Sequence, residues 1–290
     1  MTSSAWSPVE RLDAARVAAE LEEQTGVRLV LDGLGAGGNV GAAVVRWPDG
    51  HRSILKWRPD TRLPDLEAGP LAVTEAARVA GLPAPRTELA VQLGTAIATV
   101  QELLPGAPIG RLDDHGLTQA LDFNSLHAGL LRDRPDVPAF ELFLDHDGPG
   151  FCLHGPLRAH NRRTARIDDW VREVGTAYPP LVEGADAVHS DYHPGNLLAV
   201  DGSITGVIDW DGAARGDRRF DLVTLRFGVH AKPPLGRVTP RLDAILDAVP
   251  ADVLRPLWAV MSLRMVDWAI RHYTPAAVEH WADLAEQRID

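Results

Sequence analysis

The stretch HSDYHPGNLLAVDGSITGVIDWDG, His189 to Gly212, limits the possible folds more than any other part of the chain. It holds four aspartates and three His or Asn side chains around two short apolar runs, with Asn196 five residues after Asp191 and Asp209 thirteen residues after that. The apolar runs read as β-strands joined at the turn Asp201-Gly202-Ser203. Such a hairpin brings Asn196, at the start of one strand, beside Asp209 at the end of the other. Phosphoryl transfer needs a set of this kind: one carboxylate beside the attacking hydroxyl, and oxygen ligands that hold Mg²⁺ against the phosphates. Asp191 fits the first role, Asn196 and Asp209 the second.

The N-terminal hundred residues supply the other half of that chemistry. SPVERLDAARVAAELEEQTG reads as a helix with Ser7 as cap, Glu10 completing a capping box and Gly26 as the stop. Two β-type runs then flank a glycine-rich turn, and Pro48-Asp49-Gly50 returns the chain as a hairpin. The turn matches GxGxxG through Gly33, Gly35 and Gly38, but NVGAAVVRW after it reads as a strand. A Rossmann site needs a helix there, and no GKS or GKT follows for a P-loop. A glycine-rich turn between antiparallel strands can instead lie over a triphosphate, with backbone amides at Gly35, Gly37 and Gly38 approaching the oxygens, and that use calls for a lysine on the next strand. Lys56, in SILKW, is that lysine. A carboxylate on the following helix would aim its ammonium: Glu67, or Glu75 if the helix starts at Pro70. Two further β-type runs end at Pro105-Gly106, giving five strands and one main helix.

Beyond Gly106 the periodicity turns helical, with Leu117, Leu121, Leu126 and Leu130 near one face and a Trp- and Met-bearing tail after Pro240 that reads as core. Arg132 to Asn161 has no clear period and reads as a long loop or irregular insertion. A single cysteine, Cys152, excludes an internal disulfide and reads as a small buried residue. The net charge of -11 argues against a nucleic-acid partner and favours cationic or metal-chelated ligands. No apolar run is long enough to span a membrane and the N-terminus lacks a signal peptide's apolar region, so the expected location is cytoplasmic.

Taken together, His189, Asp191 and Asn196 in HSDYHPGN, Asp209 in VIDWDG, and Lys56 on its strand resemble the aminoglycoside phosphotransferase family. The resemblance implies an α+β, two-lobed protein-kinase-like fold: residues 1–104 as a nucleotide-binding lobe of antiparallel sheet with one main helix, residues 105–290 as a larger, mainly helical catalytic and acceptor-binding lobe. It implies Asp191 as base or hydroxyl-orienting residue, His189 as brace of the catalytic loop, Asn196 and Asp209 as Mg²⁺ ligands, and ATP, or GTP, as donor. The hinge VQELLPGAPI would receive adenine near Glu102 and Leu103. Ser190 and Tyr192 stand where glycine and leucine are more usual, and Asp221 would bind backbone amides of the catalytic loop.

For the acceptor, an acidic face built from Asp211, Glu141, Asp145, Asp147, Asp267, Glu279 and Asp283 would suit a polycation. The expected reaction is O-phosphorylation of a cationic antibiotic, an aminoglycoside or a tuberactinomycin-type cyclic peptide, conferring resistance. A metabolic kinase for an amino alcohol, a sugar or a related hydroxyl compound keeps the chemistry and changes the acceptor; a pocket without converging carboxylates would favour it. A non-catalytic nucleotide-binding regulator is the third reading.

Overall fold

A computed structural model describes residues 11–34 and 41–289. Helix α1 (Ala14–Thr25) is capped by Asp13, which accepts from the Arg16 N–H at 3.1 Å, and ends where Gly26 enters the left-handed region at φ 72°. The expected cap at Ser7 lies outside the described residues; the described helix begins at Ala14, where Asp13 supplies the acceptor that the first turn needs. Its buried positions Ala14, Val17, Ala18 and Leu21 follow helical spacing, and three of them share one apolar cluster with Leu55, Trp57 and Val100 of the sheet.

That sheet contains β1 (Val30–Leu34), β2 (Ala42–Arg46), β3 (Arg52–Arg58), β4 (Thr87–Leu93) and β5 (Ala96–Glu102), all antiparallel, in the order β1-β2-β3-β5-β4. Side chains alternate across β3: Ser53, Leu55 and Trp57 are buried, whereas Lys56 and Arg58 share the other face. Between β3 and β4 run α2 (Leu63–Leu66), a π-helical turn (Glu67–Leu71) and α3 (Ala72–Val79). Pro70 lacks an N–H and its ring crowds the preceding turn; the wider π turn accommodates it, so the helix starts before Glu67 and continues past Pro70.

The chain leaves β5 and crosses to the second lobe through Gly106, whose φ of 109° and close approach to Ala199 O leave no room for a side chain. There β6 (Ala107–Pro108) pairs with β8 (Leu197–Val200), which pairs with β9 (Ser203–Val207), while β7 (Asp186–Val188) pairs with β10 (Ala214–Gly216). The helices are α4 (Asp114–Leu126), α5 (His154–His160), α6 (Arg162–Ala177), α7 (Arg219–Ala231), α8 (Val238–Asp247), α9 (Ala251–His272) and α10 (Pro275–Ala285). Leu117 of α4 is buried as its spacing predicts, but Leu126 is exposed at the helix end. The expected insertion is irregular only to Leu153 and ends in α5. His154, at the start of α5, is held inside: Nδ1 faces the buried Asp168 and Nε2 faces Phe143 O at 3.1 Å, which pins the irregular segment to α6. Among the described residues no helix is long and apolar enough to cross a membrane.

Candidate active site

The segment between β7 and β8 carries His189, Asp191 and Asn196, and hydrogen bonding rather than regular structure sets its shape. Asp221, fully buried near the start of α7, accepts from the His189 N–H (3.0 Å) and the Ser190 N–H (2.9 Å), and lies 3.1 Å from His127 Nδ1. The expectation that Asp221 serves the loop's backbone amides therefore describes what the structure contains. Ser190 sits at φ 69°, in the left-handed region, which accounts for a glycine being the more usual occupant. Its two backbone groups are anchored, the N–H on Asp221 and the C=O on Arg264 Nη1 at 2.7 Å. Gly212 packs against it so closely that a Cβ there would collide with Ser190 Oγ. Tyr192 is buried, its hydroxyl donating to Ala120 O at 2.8 Å.

His189 is wholly buried; Nε2 donates to Ile208 O (2.9 Å) and Nδ1 accepts from the Asp191 N–H (3.2 Å). That pattern needs the neutral imidazole, and burial, partly opposed by Asp221 and Asp191, lowers its pKa from the ordinary 6.5. His230 is shifted in the same direction, again by burial first. The sign follows: below the unfolded value the unfolded chain binds protons that these folded imidazoles resist, so their contribution is complete above about 6.5 and declines as pH falls below it. We expect the thermal midpoint to drop between about pH 7.5 and about pH 5.5; a midpoint that rises over that interval would contradict the neutral assignment.

Asn196 donates from Nδ2 to Asp191 O (2.9 Å) and Asp191 Oδ2 (3.0 Å). Both partners are acceptors, so the amide orientation is determined and Oδ1 is directed elsewhere. The Ile208 N–H donates to Asn196 O at 2.9 Å, and Leu197 pairs with Val207, so the β8–β9 hairpin places Asn196 and Asp209 side by side at its open end. Asp209, at φ 68° and with its side chain 42% exposed, receives Lys56 Nζ at 2.9 Å, and Asp211 lies 3.7 Å from the same ammonium. Burial works against the charge on Lys56, but Asp211 and Asp209 outweigh it and hold the pKa above the ordinary lysine value. Arg58, two residues along the same face of β3, donates from Nη2 to Asp211 O (2.7 Å), while its Nη1 is buried without a hydrogen-bond partner among the described residues.

The expected Lys56–Glu67 pair is thus corrected. Glu67 is exposed on the π turn, Glu75 is exposed and bonded to Arg78 (2.7 Å), and the carboxylates that meet Lys56 come from the end of the β8–β9 hairpin. Of the hinge pair, Glu102 clips β4 to β5: its N–H donates to Arg86 O (2.9 Å) and its carboxylate accepts from the Arg86 N–H (3.2 Å), while Leu103 is exposed at the strand exit. Gly35, Gly37 and Gly38 lie outside the described residues.

Asp191 looks into a cavity of about 830 Å³. Its Oδ1 accepts from Arg264 Nη2 (3.0 Å), and His193 Nε2 is 3.4 Å from Oδ2. Partial burial raises the carboxyl's pKa, but Arg264 and His193 overcome this and hold it well below the usual carboxylate range. The cavity walls are mainly apolar: Phe140, Phe143 and Phe151 from the irregular segment, Met261, Met265 and Trp268 from α9, and Trp281 from α10. The C-terminal Trp and Met stripe, read as core, is therefore divided. Trp258 is core, while the others also form the wall. Cys152 is buried in that wall, and burial pushes its thiol up to about 12, consistent with a packing role.

Most of the expected acidic face is absent from the cavity. Asp267 is fully buried with its carboxylate on Arg271 (2.6 Å) and the Leu153 N–H (3.1 Å); Glu279 and Asp283 are spread on Arg163 at 2.6 Å each. Asp145 pairs with His146 and Asp147 caps the His154 N–H, so neither belongs to the wall. Glu141 and Asp211 do line it, but Glu141 is bonded to His146 (3.1 Å) and Asp211 belongs to the Lys56 and Arg58 cluster. Arg264, Arg58 and the proximity of His193 escaped the sequence reading. His193 lies inside the motif but has no metal-ligand spacing around it to single it out; Arg264 is seventy-three residues from Asp191 with no motif around it.

A model of the phosphotransferase enzyme family matches residues 9–244. The chain belongs to that family. It is accordingly an enzyme that transfers a phosphoryl group to a hydroxyl acceptor, on a kinase-like fold. No curated protein matches it in sequence. A thermostable mutant of aminoglycoside phosphotransferase APH(4)-Ia, in ternary complex with AMP-PNP and hygromycin B, is 16% identical over 93% of this chain and 97% of its own, with a TM-score of 0.65. A putative fructosamine-3-kinase from Haemophilus somnus is 12% identical over 94% and 97%, with a TM-score of 0.57. An aminoglycoside phosphotransferase from Alicyclobacillus acidocaldarius is 17% identical over 89% of both chains, with a TM-score of 0.54. At these identities the likeness is one of fold.

Proposed function

We propose that this phosphotransferase moves the γ-phosphoryl group of ATP, or GTP, to a hydroxyl of a small molecule with a largely apolar body. The observation that carries the reading is that Asp191 shares one cavity with Asp209, the partner of Lys56, and with a wall of aromatic and Met side chains. A polycationic antibiotic needs several converging carboxylates, and Asp267, Glu279 and Asp283 are committed elsewhere. The acceptor is therefore better sought among hydroxyl compounds with apolar surface than among aminoglycosides or tuberactinomycins.

The donor set suits Mg²⁺. Asn196 turns its amide nitrogen to Asp191 and its Oδ1 accepts no hydrogen bond among the described residues, and the Asp209 carboxylate is accessible; two protein oxygens are what this ion commonly takes when water and phosphates complete its octahedron. Bound there, Mg²⁺ would supply charge neutralisation at the phosphate oxygens. Lys56 and Arg58 face the same end and would bind phosphate, with Lys56 shifting from Asp209 as it does so. Asp191 accepts the hydrogen bond of the acceptor hydroxyl. The acceptor oxygen forms its bond to the γ-phosphorus as the bond to the bridging oxygen breaks, the nucleoside diphosphate (ADP or GDP) leaves, and the hydroxyl proton passes to Asp191. A carboxylate held so acidic by Arg264 is a weak base, so its main contribution is orientation, and the proton arrives late, as fits a loose transition state.

The test is a mass-spectrometric screen of the purified protein with Mg²⁺ and ATP or GTP against aminoglycosides, tuberactinomycins, sugars, amino alcohols and apolar hydroxyl compounds, scored by a gain of about 80 mass units per phosphoryl group. Products are expected among the apolar compounds. Products confined to polycations would overturn the acceptor class, and nucleotide binding with no product in any class would return the chain to the regulator reading.

A further inference from the structure

The acceptor end of the cavity has a charge pattern that the reaction alone does not require. Arg264 uses two of its five N–H groups on Ser190 O (2.7 Å) and Asp191 Oδ1 (3.0 Å), and its guanidinium lies 5.9 Å from the Phe151 ring centroid. These contacts fix its plane on the middle of α9 while the side chain stays 27% exposed in the cavity wall. Lys232 also lines the cavity, exposed and with no acidic partner among the described residues. The wall's carboxylates apart from Asp191 are engaged, Asp209 and Asp211 by Lys56, and Glu141 by His146. The acceptor end thus offers cationic donors beside the base and at a second point of the wall, and no uncommitted anion.

On the reading that Asp191 orients the acceptor hydroxyl, we propose that Arg264 is a specificity-determining and positioning residue that selects acceptors carrying a carboxylate next to the reacting hydroxyl. A hydroxyl bonded to Asp191 lies within about 3 Å of a carboxylate that Arg264 already holds, so a substituent one carbon away meets the remaining guanidinium N–H groups. A carboxylate there gains charge-assisted bonds, whereas an ammonium is repelled. The apolar wall takes the body of the same molecule. The acceptor class is an apolar, ring-bearing hydroxy acid.

Three matched probes separate the possibilities: phenyllactate, its neutral amide, and phenylalaninol, which places an ammonium beside the hydroxyl. Binding is read from quenching of the wall tryptophans Trp268 and Trp281, and turnover from phosphorylated product. The wild type is expected to bind phenyllactate at least about tenfold more tightly than phenylalaninol, with the amide between them. R264Q should bring the three within about twofold of one another, and R264K should keep the order with a narrower spread. In turnover the R264Q defect for phenyllactate should appear in KM more than in kcat. No measurable phenyllactate binding, tighter binding of phenylalaninol, or an order unchanged in R264Q overturns the inference. D191N keeps the two conclusions apart. Undiminished product formation by D191N defeats the assignment of Asp191, whereas the binding order reports on Arg264 whether or not turnover occurs.

Discussion

Replacing Asp191 by Asn, on the proposed role, is expected to lower kcat by about 10²-fold, the size of effect that a misoriented nucleophile produces, while the nucleotide dissociation constant stays within about twofold. The side chain keeps its size but loses the charge that Arg264 and His193 hold, and an amide oxygen accepts the attacking hydroxyl's hydrogen bond more weakly than a carboxylate and does not take up its proton. Asp209→Asn is the contrasting variant. It removes the partner of Lys56 and, on the proposed role, a charged metal ligand, so Mg²⁺-dependent nucleotide binding should weaken by about tenfold or more while binding measured without Mg²⁺ changes little. Nucleotide titration of both variants with and without Mg²⁺, alongside single-turnover rates, reads the two roles separately. Identical behaviour of the two variants would remove the distinction between an acceptor-side and a metal-side carboxylate.

Asp221→Ala should give the largest loss of stability of any single replacement near the site. The carboxylate is wholly buried, and deleting it strands the His189 and Ser190 N–H groups and leaves His127 without its partner. Unpaired buried groups of this kind cost about 3–5 kcal/mol in total, which for a chain of this size lowers the thermal midpoint on the order of 10 °C. Ser190 would also lose one of the two anchors of its left-handed backbone, so the remaining folded protein should have impaired turnover. A thermal scan checks the first effect, and activity below the transition checks the second. A midpoint within about 2 °C of the wild type would show that the loop takes its shape from something other than Asp221.

The motif residues come together for a local reason. Asp191, Asn196 and Asp209 are fixed relative to one another by one turn and one antiparallel hairpin, and both are short-range consequences of residue type. The face of Lys56 was similarly legible, because alternation along β3 opposes it to Leu55 and Trp57. Its partner was not. Glu67 and Glu75 are near in sequence, but the π turn around Pro70 leaves the first exposed, and Arg78 takes the second. Asp209, separated from Lys56 by 153 positions, arrives through the docking of the sheet on the hairpin. The acceptor acids failed for a related reason. A carboxylate's presence in a helix does not say whether an arginine elsewhere consumes it, as Arg163 consumes Glu279 and Asp283, and Arg271 consumes Asp267.

By itself, then, the order of residues pointed to phosphoryl transfer, because turns and strand alternation convert the spacings of Asp191, Asn196, Asp209 and Lys56 directly into position. Only the tertiary structure decided which side chains wall the cavity beside Asp191. That wall is assembled from an irregular segment and two helices far apart in the chain, and its sign depends on which charges remain after the long-range pairs have formed. Pairing across the fold is a property of packing, and packing placed Arg264 where the acidic residues of the sequence had suggested a carboxylate.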